Sequence, residues 1–184
     1  MKNIVLIGFM GTGKTCVGKI LADTLGWPFC DVDSAVEQAI GMSIAAYFAQ
    51  AGETAFRDRE QEAVERICQR TGQVVATGGG VVLRQQNIDR LKATGVVVCL
   101  AASEQQIVAR TAADSGRPLL NRPDRLLVIR ELLAERLPQY RQADLWLDTD
   151  GKSAPETAEE LARILRREGW LDGNDPGESG RKKL

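Results

Sequence analysis

Apolar positions along the chain follow two different periods. Short unbroken apolar runs stand at 4–7, around 29–32, at 74–77, at 96–100 and at 145–147. Runs of this length, with β-branched residues prominent, suit strands buried on both faces. Between the runs the spacing becomes helical. After Thr15 the apolar residues fall at Val17, Ile20, Leu21 and Leu25, and Gly26 follows as a C-terminal stop. From Glu53 to Arg70, an apolar stripe of Phe56, Ala63, Val64, Ile67 and Cys68 predicts one long helix. Ser103 with Gln106, and Ser153 with Glu156, have the spacing of capping boxes, and Pro155 suits a first helical turn. Strand and helix alternate, which predicts βαβ units: an α/β fold with a parallel sheet and helices on both faces.

Two segments carry neither period. Asp114 to Asp124 holds Gly116, Pro118 and Pro123 and reads as a mobile lid. From Trp170 onward the chain is rich in Gly, Asp, Pro, Ser and Lys, and a disordered tail is expected there. A length of 184 residues fits one domain.

Charge and composition narrow the function. The net charge is −1, so no broad field favours nucleic acid or an anionic membrane. No apolar run approaches the ~20 residues of a membrane span. Lys2 precedes an apolar stretch, but no small-residue cleavage site follows it, which argues against a secretory signal. Cys16, Cys30, Cys68 and Cys99 lie far apart with no C-x-x-C pair, as expected for reduced cytoplasmic thiols and not for zinc or a disulfide frame. There is no histidine, so a general base must be a carboxylate, a lysine or water.

The strongest chemical signal is Gly8-Phe9-Met10-Gly11-Thr12-Gly13-Lys14-Thr15, which has the form G-x-x-x-x-G-K-[ST]. It sits between the first apolar run and a helical pattern. That order places the loop at a helix N-terminus, where free N–H groups and the helix dipole favour an anion. Such a loop wraps phosphates with backbone N–H groups, sets its lysine on the transferable phosphate and its hydroxyl on Mg²⁺. A nucleoside triphosphate is therefore the expected ligand.

The remaining candidates surround that loop. The second run ends in Asp31-Val32-Asp33. Strand C-termini of a parallel sheet line up on the ligand side, and residues i and i+2 of a strand share a face. Both carboxylates can point toward the loop if the strand persists: one to hold Mg²⁺ through water, the other to take or orient a hydroxyl proton. The third run leads into Gly78-Gly79-Gly80, where many phosphate-loop proteins place an aspartate for magnesium. That absence makes Asp31 the better metal candidate, and the glycines let a small molecule approach bare backbone. Arg57, Arg117 and Arg136 supply cations. Two arginines in one pocket would suit a carboxylate, and a lid arginine would suit charge on a transferring phosphoryl group.

Taken together, the pattern resembles the shikimate kinases over residues 1 to about 168. The resemblance rests on Gly8 to Thr15, Asp31-x-Asp33, Gly41-Met42-Ser43-Ile44, Gly52-Glu53 with Phe56-Arg57-x-x-Glu60, the triple glycine, Gly116-Arg117-Pro118-Leu119, and Arg136 with Tyr140 and Ala143-Asp144. It implies a three-layer P-loop kinase with a five-stranded parallel sheet. A helical substrate-binding flap at about 33–60 and a lid at about 112–123 would complete a single domain at 1–168, with a tail at 169–184. It implies transfer of the ATP γ-phosphoryl group to the 3-hydroxyl of shikimate, in a cytoplasmic monomer, with one Mg²⁺.

Carried over by motif, Gly11, Thr12, Gly13, Lys14, Thr15 and Cys16 bind ATP, and Thr15 and Asp31 hold the metal. Lys14, Asp33 and Arg117 are the catalytic set, with Arg117 also reaching ATP. Arg110 and Pro155 flank adenine, and Lys152 lies near the nucleotide. Asp33, Arg57, Arg136 and Gly78 to Gly80 bind shikimate. Phe48 and Phe56 wall its ring, and Glu60 orients Arg57. Cys16 departs from the family, which commonly has a second hydroxyl residue there; its backbone N–H can still serve. Three rivals share or border the scaffold, one of them a nucleoside-monophosphate kinase, for which the acceptor region shows no base-stacking logic. Another small-molecule kinase, such as a gluconate kinase, fits the Asp33, Arg57, Gly79 and Arg136 set less well. A GTPase-type switch would carry an Asn-Lys-x-Asp motif, which is absent.

Overall fold

Strand β1 (Asn3–Ile7) is the centre of the molecule and is buried along its whole length. The computed structural model describes residues 1–111 and 124–171. The other strands are β2 (Phe29–Asp31), β3 (Val74–Ala76), β4 (Gly95–Ala101) and β5 (Leu145–Asp148). They form one parallel sheet in the order β2-β3-β1-β4-β5. Each apolar run has become a strand. β1 pairs with β3 on one side and β4 on the other, in registers such as Val5 with Val75 and Val5 with Val97.

The sheet is the middle of three layers because its side chains alternate between two cores. Ile4 and Leu6 face α1 (Lys14–Leu25) and α7 (Ala154–Arg167), where they meet Val17, Leu21, Leu161 and Leu165. Val5 and Ile7 face the opposite core, with Val36 of α2 (Val32–Ile40), Phe56 and Val64 of α3 (Ile44–Ile67), Ile88 of α4 (Gln85–Thr94) and Ile129 of α6 (Arg125–Tyr140). The short α5 (Glu104–Arg110) adds Ile107 to that core. All five strands end at one edge of the sheet, so the loops after them share one rim.

Four local features differ from the sequence-based expectations. Strand β2 stops at Asp31, and Asp33 lies in the first turn of α2. The Asp31 carboxylate causes the switch: it accepts from the N–H groups of Asp33 and Ser34 and caps the helix. Helix α3 starts earlier than the apolar stripe suggests and is bent at Gly52, whose φ 80 and ψ 175 are open essentially to glycine alone. The Ser153–Glu156 capping box forms in full. Ser103 makes only half of its box, because its own N–H donates to Asp150 instead of Gln106.

Finally, residues 169–171, assigned to the tail from composition, pack on the domain. Gly169 ends α7 with a positive φ, Leu171 is buried, and Lys2 lies over the Trp170 ring. The remainder of the expected tail, and the lid expected at about 112–123, lie outside the described residues.

Candidate active site

The loop after β1 turns on three glycines with positive φ: Gly8 at 138, Gly11 at 77 and Gly13 at 91. Space is as tight as conformation. A Cβ on Gly8 would strike the Leu100 carbonyl, and one on Gly11 would stand 2.8 Å from Cγ2 of the buried Thr111. Thr12 is buried and its hydroxyl donates to the Phe9 carbonyl at 2.8 Å. Gly13 caps α1 without a side-chain bond. The first N–H groups of that helix thus meet no capping side chain from Gly13 and are available to an anion. Lys14 is buried, with Nζ donating to the Gly8 and Phe9 carbonyls at 2.8 Å each. The loop thereby carries one desolvated cation beside a row of N–H donors, which is a site for phosphate.

Thr15 and Asp31 meet. The Thr15 hydroxyl donates to Asp31 Oδ2 at 2.9 Å, while Oδ1 caps α2. One hydroxyl and one carboxylate at a phosphate loop form the hard oxygen set that Mg²⁺ takes together with phosphate and water. Cys16 is exposed in the first turn of α1. Cys99 is buried in the core, and burial pushes its thiol up to about 12 against the opposing charge of Lys14, which disfavours the thiolate.

The triple glycine meets the phosphate loop and three charged groups. None of the three has a positive φ; clearance is what requires glycine here. A Cβ on Gly78 would stand 2.5 Å from Asp33 Oδ1 and 3.2 Å from Glu60 Oε1. One on Gly79 would stand 3.2 Å from the Met10 nitrogen, and one on Gly80 would collide with the Arg57 guanidinium. The strand-end turn therefore fits against Asp33, the phosphate loop and Arg57 at once.

Arg57 is fixed by carboxylates on its own helix. Its Nη1 donates to Glu60 Oε2 at 2.8 Å and its Nη2 to Glu53 Oε1 at 3.1 Å. Glu60 is 1% exposed, and burial raises its pKa above the ordinary carboxylate value; Arg57 opposes this and Asp33 adds to it. The Arg57 guanidinium lies 5.0 Å from the Phe56 ring centroid, and Phe48 packs on Phe56 with centroids 4.7 Å apart. Arg136, 7% exposed, reaches in from α6. It lies 5.7 Å over the Phe9 ring, its Nη1 is 3.5 Å from the Gly79 carbonyl, and its Nε has no hydrogen-bond partner among the described residues. A buried guanidinium with an unpaired N–H is suited to an incoming carboxylate.

On the nucleotide side, Arg110 donates to the Thr149 hydroxyl at 2.8 Å and to the Thr149 carbonyl at 2.7 Å, with longer contacts to the Gly11 and Lys152 carbonyls. Lys152 pairs with Glu160 at 2.7 Å, and Pro155 stands in the first turn of α7. Of these three expected nucleotide residues, Arg110 touches the loop at Gly11 and reaches the Lys152 carbonyl, while Pro155 stands three residues further on at the start of α7. Arg117 lies outside the described residues. Sequence reasoning missed Thr149 as the anchor of Arg110, although its place at the end of an apolar run was a usable signal. It also gave no role to Tyr140, whose hydroxyl donates to the Gly79 carbonyl at 2.6 Å.

The shikimate kinase family model matches residues 10–166. A shikimate kinase of Thermodesulfovibrio yellowstonii is 50% identical over 167 residues, covering 91% of this chain and 96% of its own length. The chain belongs to the shikimate kinase family. A second relative, a shikimate kinase of Stenotrophomonas maltophilia, is 47% identical over 160 residues, covering 86% of this chain and 89% of its own. Among solved structures, shikimate kinase from Acinetobacter baumannii in complex with shikimate superposes with a TM-score of 0.88 at 35% identity, covering 93% of this chain and 96% of that one. The shikimate kinase fold accounts for the parallel sheet, its strand order and the placing of the loop.

Proposed function

We propose that this chain transfers the γ-phosphoryl group of ATP to the 3-hydroxyl of shikimate, giving shikimate 3-phosphate and ADP on the route to chorismate and the aromatic amino acids. The observation that carries this reading is the convergence of Asp33, Arg57 and Arg136 on the glycine turn directly beside the Lys14 loop. Shikimate is a carboxylate bearing three hydroxyls. Arg57 and Arg136 are assigned its carboxylate, since planar guanidinium groups pair with it in bidentate fashion. Asp33 is assigned the hydroxyl end, where it orients the attacking oxygen and takes its proton. Backbone of Gly78 to Gly80 lies along one side of the acceptor, and Phe48 and Phe56 wall the ring.

Phosphoryl transfer needs alignment and charge neutralisation more than covalent help. Lys14 and the α1 N–H groups are assigned the β- and γ-phosphates, and Arg110, Lys152 and Pro155 the base end. Arg117 keeps its assignment to ATP. Thr15 and Asp31 would hold Mg²⁺, which neutralises phosphate charge when bound. The enzyme is assigned as a monomer, as the sequence reading expects. No described helix is long and apolar enough to cross a membrane, in keeping with a cytoplasmic enzyme.

A coupled ADP-release assay with shikimate, gluconate and AMP as acceptors tests the reading. Turnover with shikimate alone is expected, and Lys14→Ala should reduce it to near background while the fold survives. Comparable turnover with gluconate, or none with shikimate, would overturn it.

A further inference from the structure

Tyr140 is buried at the end of α6, one turn beyond Arg136. Its hydroxyl donates to the Gly79 carbonyl at 2.6 Å, across 61 residues of sequence. Burial raises the phenol's pKa, while the charge of Arg136 and its hydrogen bond to the hydroxyl oppose the shift. The same carbonyl stands 3.5 Å from Arg136 Nη1. Gly79 is the middle of three glycines, where the backbone has the most torsional freedom and the least local reason to keep one orientation. A trans peptide is planar, so its carbonyl and the next N–H point in opposite directions. Holding the Gly79 carbonyl therefore sets the direction of the Gly80 N–H, and Gly80 lies against the Arg57 guanidinium.

We propose that Tyr140 is a positioning residue for the acceptor: its hydroxyl holds the Gly79–Gly80 peptide in one orientation and leaves Arg136 available to bind the substrate carboxylate. This inference rests on the shikimate reading of the site. The Gly79 carbonyl keeps a strong donor when Arg136 turns to the substrate, so that exchange leaves no buried acceptor unpaired. Arg136 also meets the Tyr140 hydroxyl, while its long contact to Gly79 and its unpartnered Nε leave donors for the substrate. The position of Tyr140, four residues from Arg136 on one helix face, couples the two groups through a rigid element.

Tyr140→Phe keeps the ring and removes only the donor. The KM for shikimate should rise about 5- to 10-fold, the ratio expected for one lost hydrogen bond. The KM for ATP should stay unchanged, kcat should change by less than about 3-fold, and the melting temperature should fall by no more than a few degrees. An unchanged shikimate KM, or equal rises in both KM values, would overturn the proposal. The unmodified chain is run alongside. Failure of that chain to turn over shikimate would reject the functional reading itself, a result distinct from failure of the Tyr140 argument.

Discussion

The hydroxyl of Thr15 donates to Asp31 Oδ2 across 2.9 Å, joining the first turn of α1 to the end of β2. The other oxygen of Asp31 caps α2. One carboxylate thus serves both a candidate metal position and the helix that carries Asp33.

The two duties of Asp31 separate by substitution. Asp31→Asn keeps a capping oxygen and removes the charge, so the melting temperature should stay within a few degrees while the Mg²⁺ concentration for half-maximal activity rises about 10-fold. Asp31→Ala should show the same metal effect and also lose roughly 1 kcal/mol of stability from the lost cap. A magnesium titration of turnover and a thermal melt read the two effects. An unchanged magnesium dependence in Asp31→Asn would remove Asp31 from the metal site.

Gly80→Ala puts a methyl group into the Arg57 guanidinium. Arg57 must then shift, while the phosphate loop is left alone. The KM for shikimate should rise at least about 10-fold, as for misplacement of a bidentate cation, with the KM for ATP unchanged. Steady-state kinetics with each substrate varied in turn checks this. A rise in the ATP KM alone would contradict the assignment.

Glu60 gives a pH signature. Burial raises its pKa, so the folded protein holds this proton more tightly than the unfolded chain does. Its stabilising contribution is full below the ordinary carboxylate pKa and is lost as pH rises through the folded value. Glutamine does not titrate. The melting temperature of Glu60→Gln relative to the parent should therefore increase as pH goes from about 4 to 7. The same variant should weaken shikimate binding, because Arg57 loses a charged partner. Parallel melting curves across that range would refute the argument.

Gly52→Ala tests the bend in α3. No atom stands within 4 Å of a Cβ placed there, so the whole cost is backbone strain at φ 80 and ψ 175. That strain is about 1–3 kcal/mol, which should lower the melting temperature by about 5 °C. Arg57 lies just beyond the bend, so shikimate KM should rise as well. A thermal scan showing no loss would mean that the bend relaxes freely.

Much of the frame was legible because it depends on local chemistry. The strands follow from apolar runs, the phosphate loop from its glycines, and the start of α7 from Ser153, Pro155 and Glu156. Asp33 was placed on the correct rim for a wrong reason. The strand-face argument required β2 to continue, but the Asp31 side chain converts the chain to helix one residue earlier. The bend at Gly52 was hidden because a lone glycine does not announce its φ. Contacts between distant segments were out of reach: Arg110 to Thr149 spans 39 residues and Tyr140 to Gly79 spans 61. The complete burial of Glu60 was equally hidden, since its neighbours in sequence are polar or charged.

The glycine turn after β3 has a further consequence. Gly79 meets the phosphate loop backbone to backbone, and Asp33 and Arg57 close on Gly78 and Gly80 from the other side. On the proposed assignment of the site, main chain alone acts as the spacer between donor and acceptor. Its thickness cannot be tuned by exchanging one side chain for another, since any side chain there is an obstruction. A chain adapting to a longer or shorter acceptor would have to insert or delete residues in this turn, or move the acceptor-binding helices. Catalytic reach in this architecture is thus encoded in backbone length.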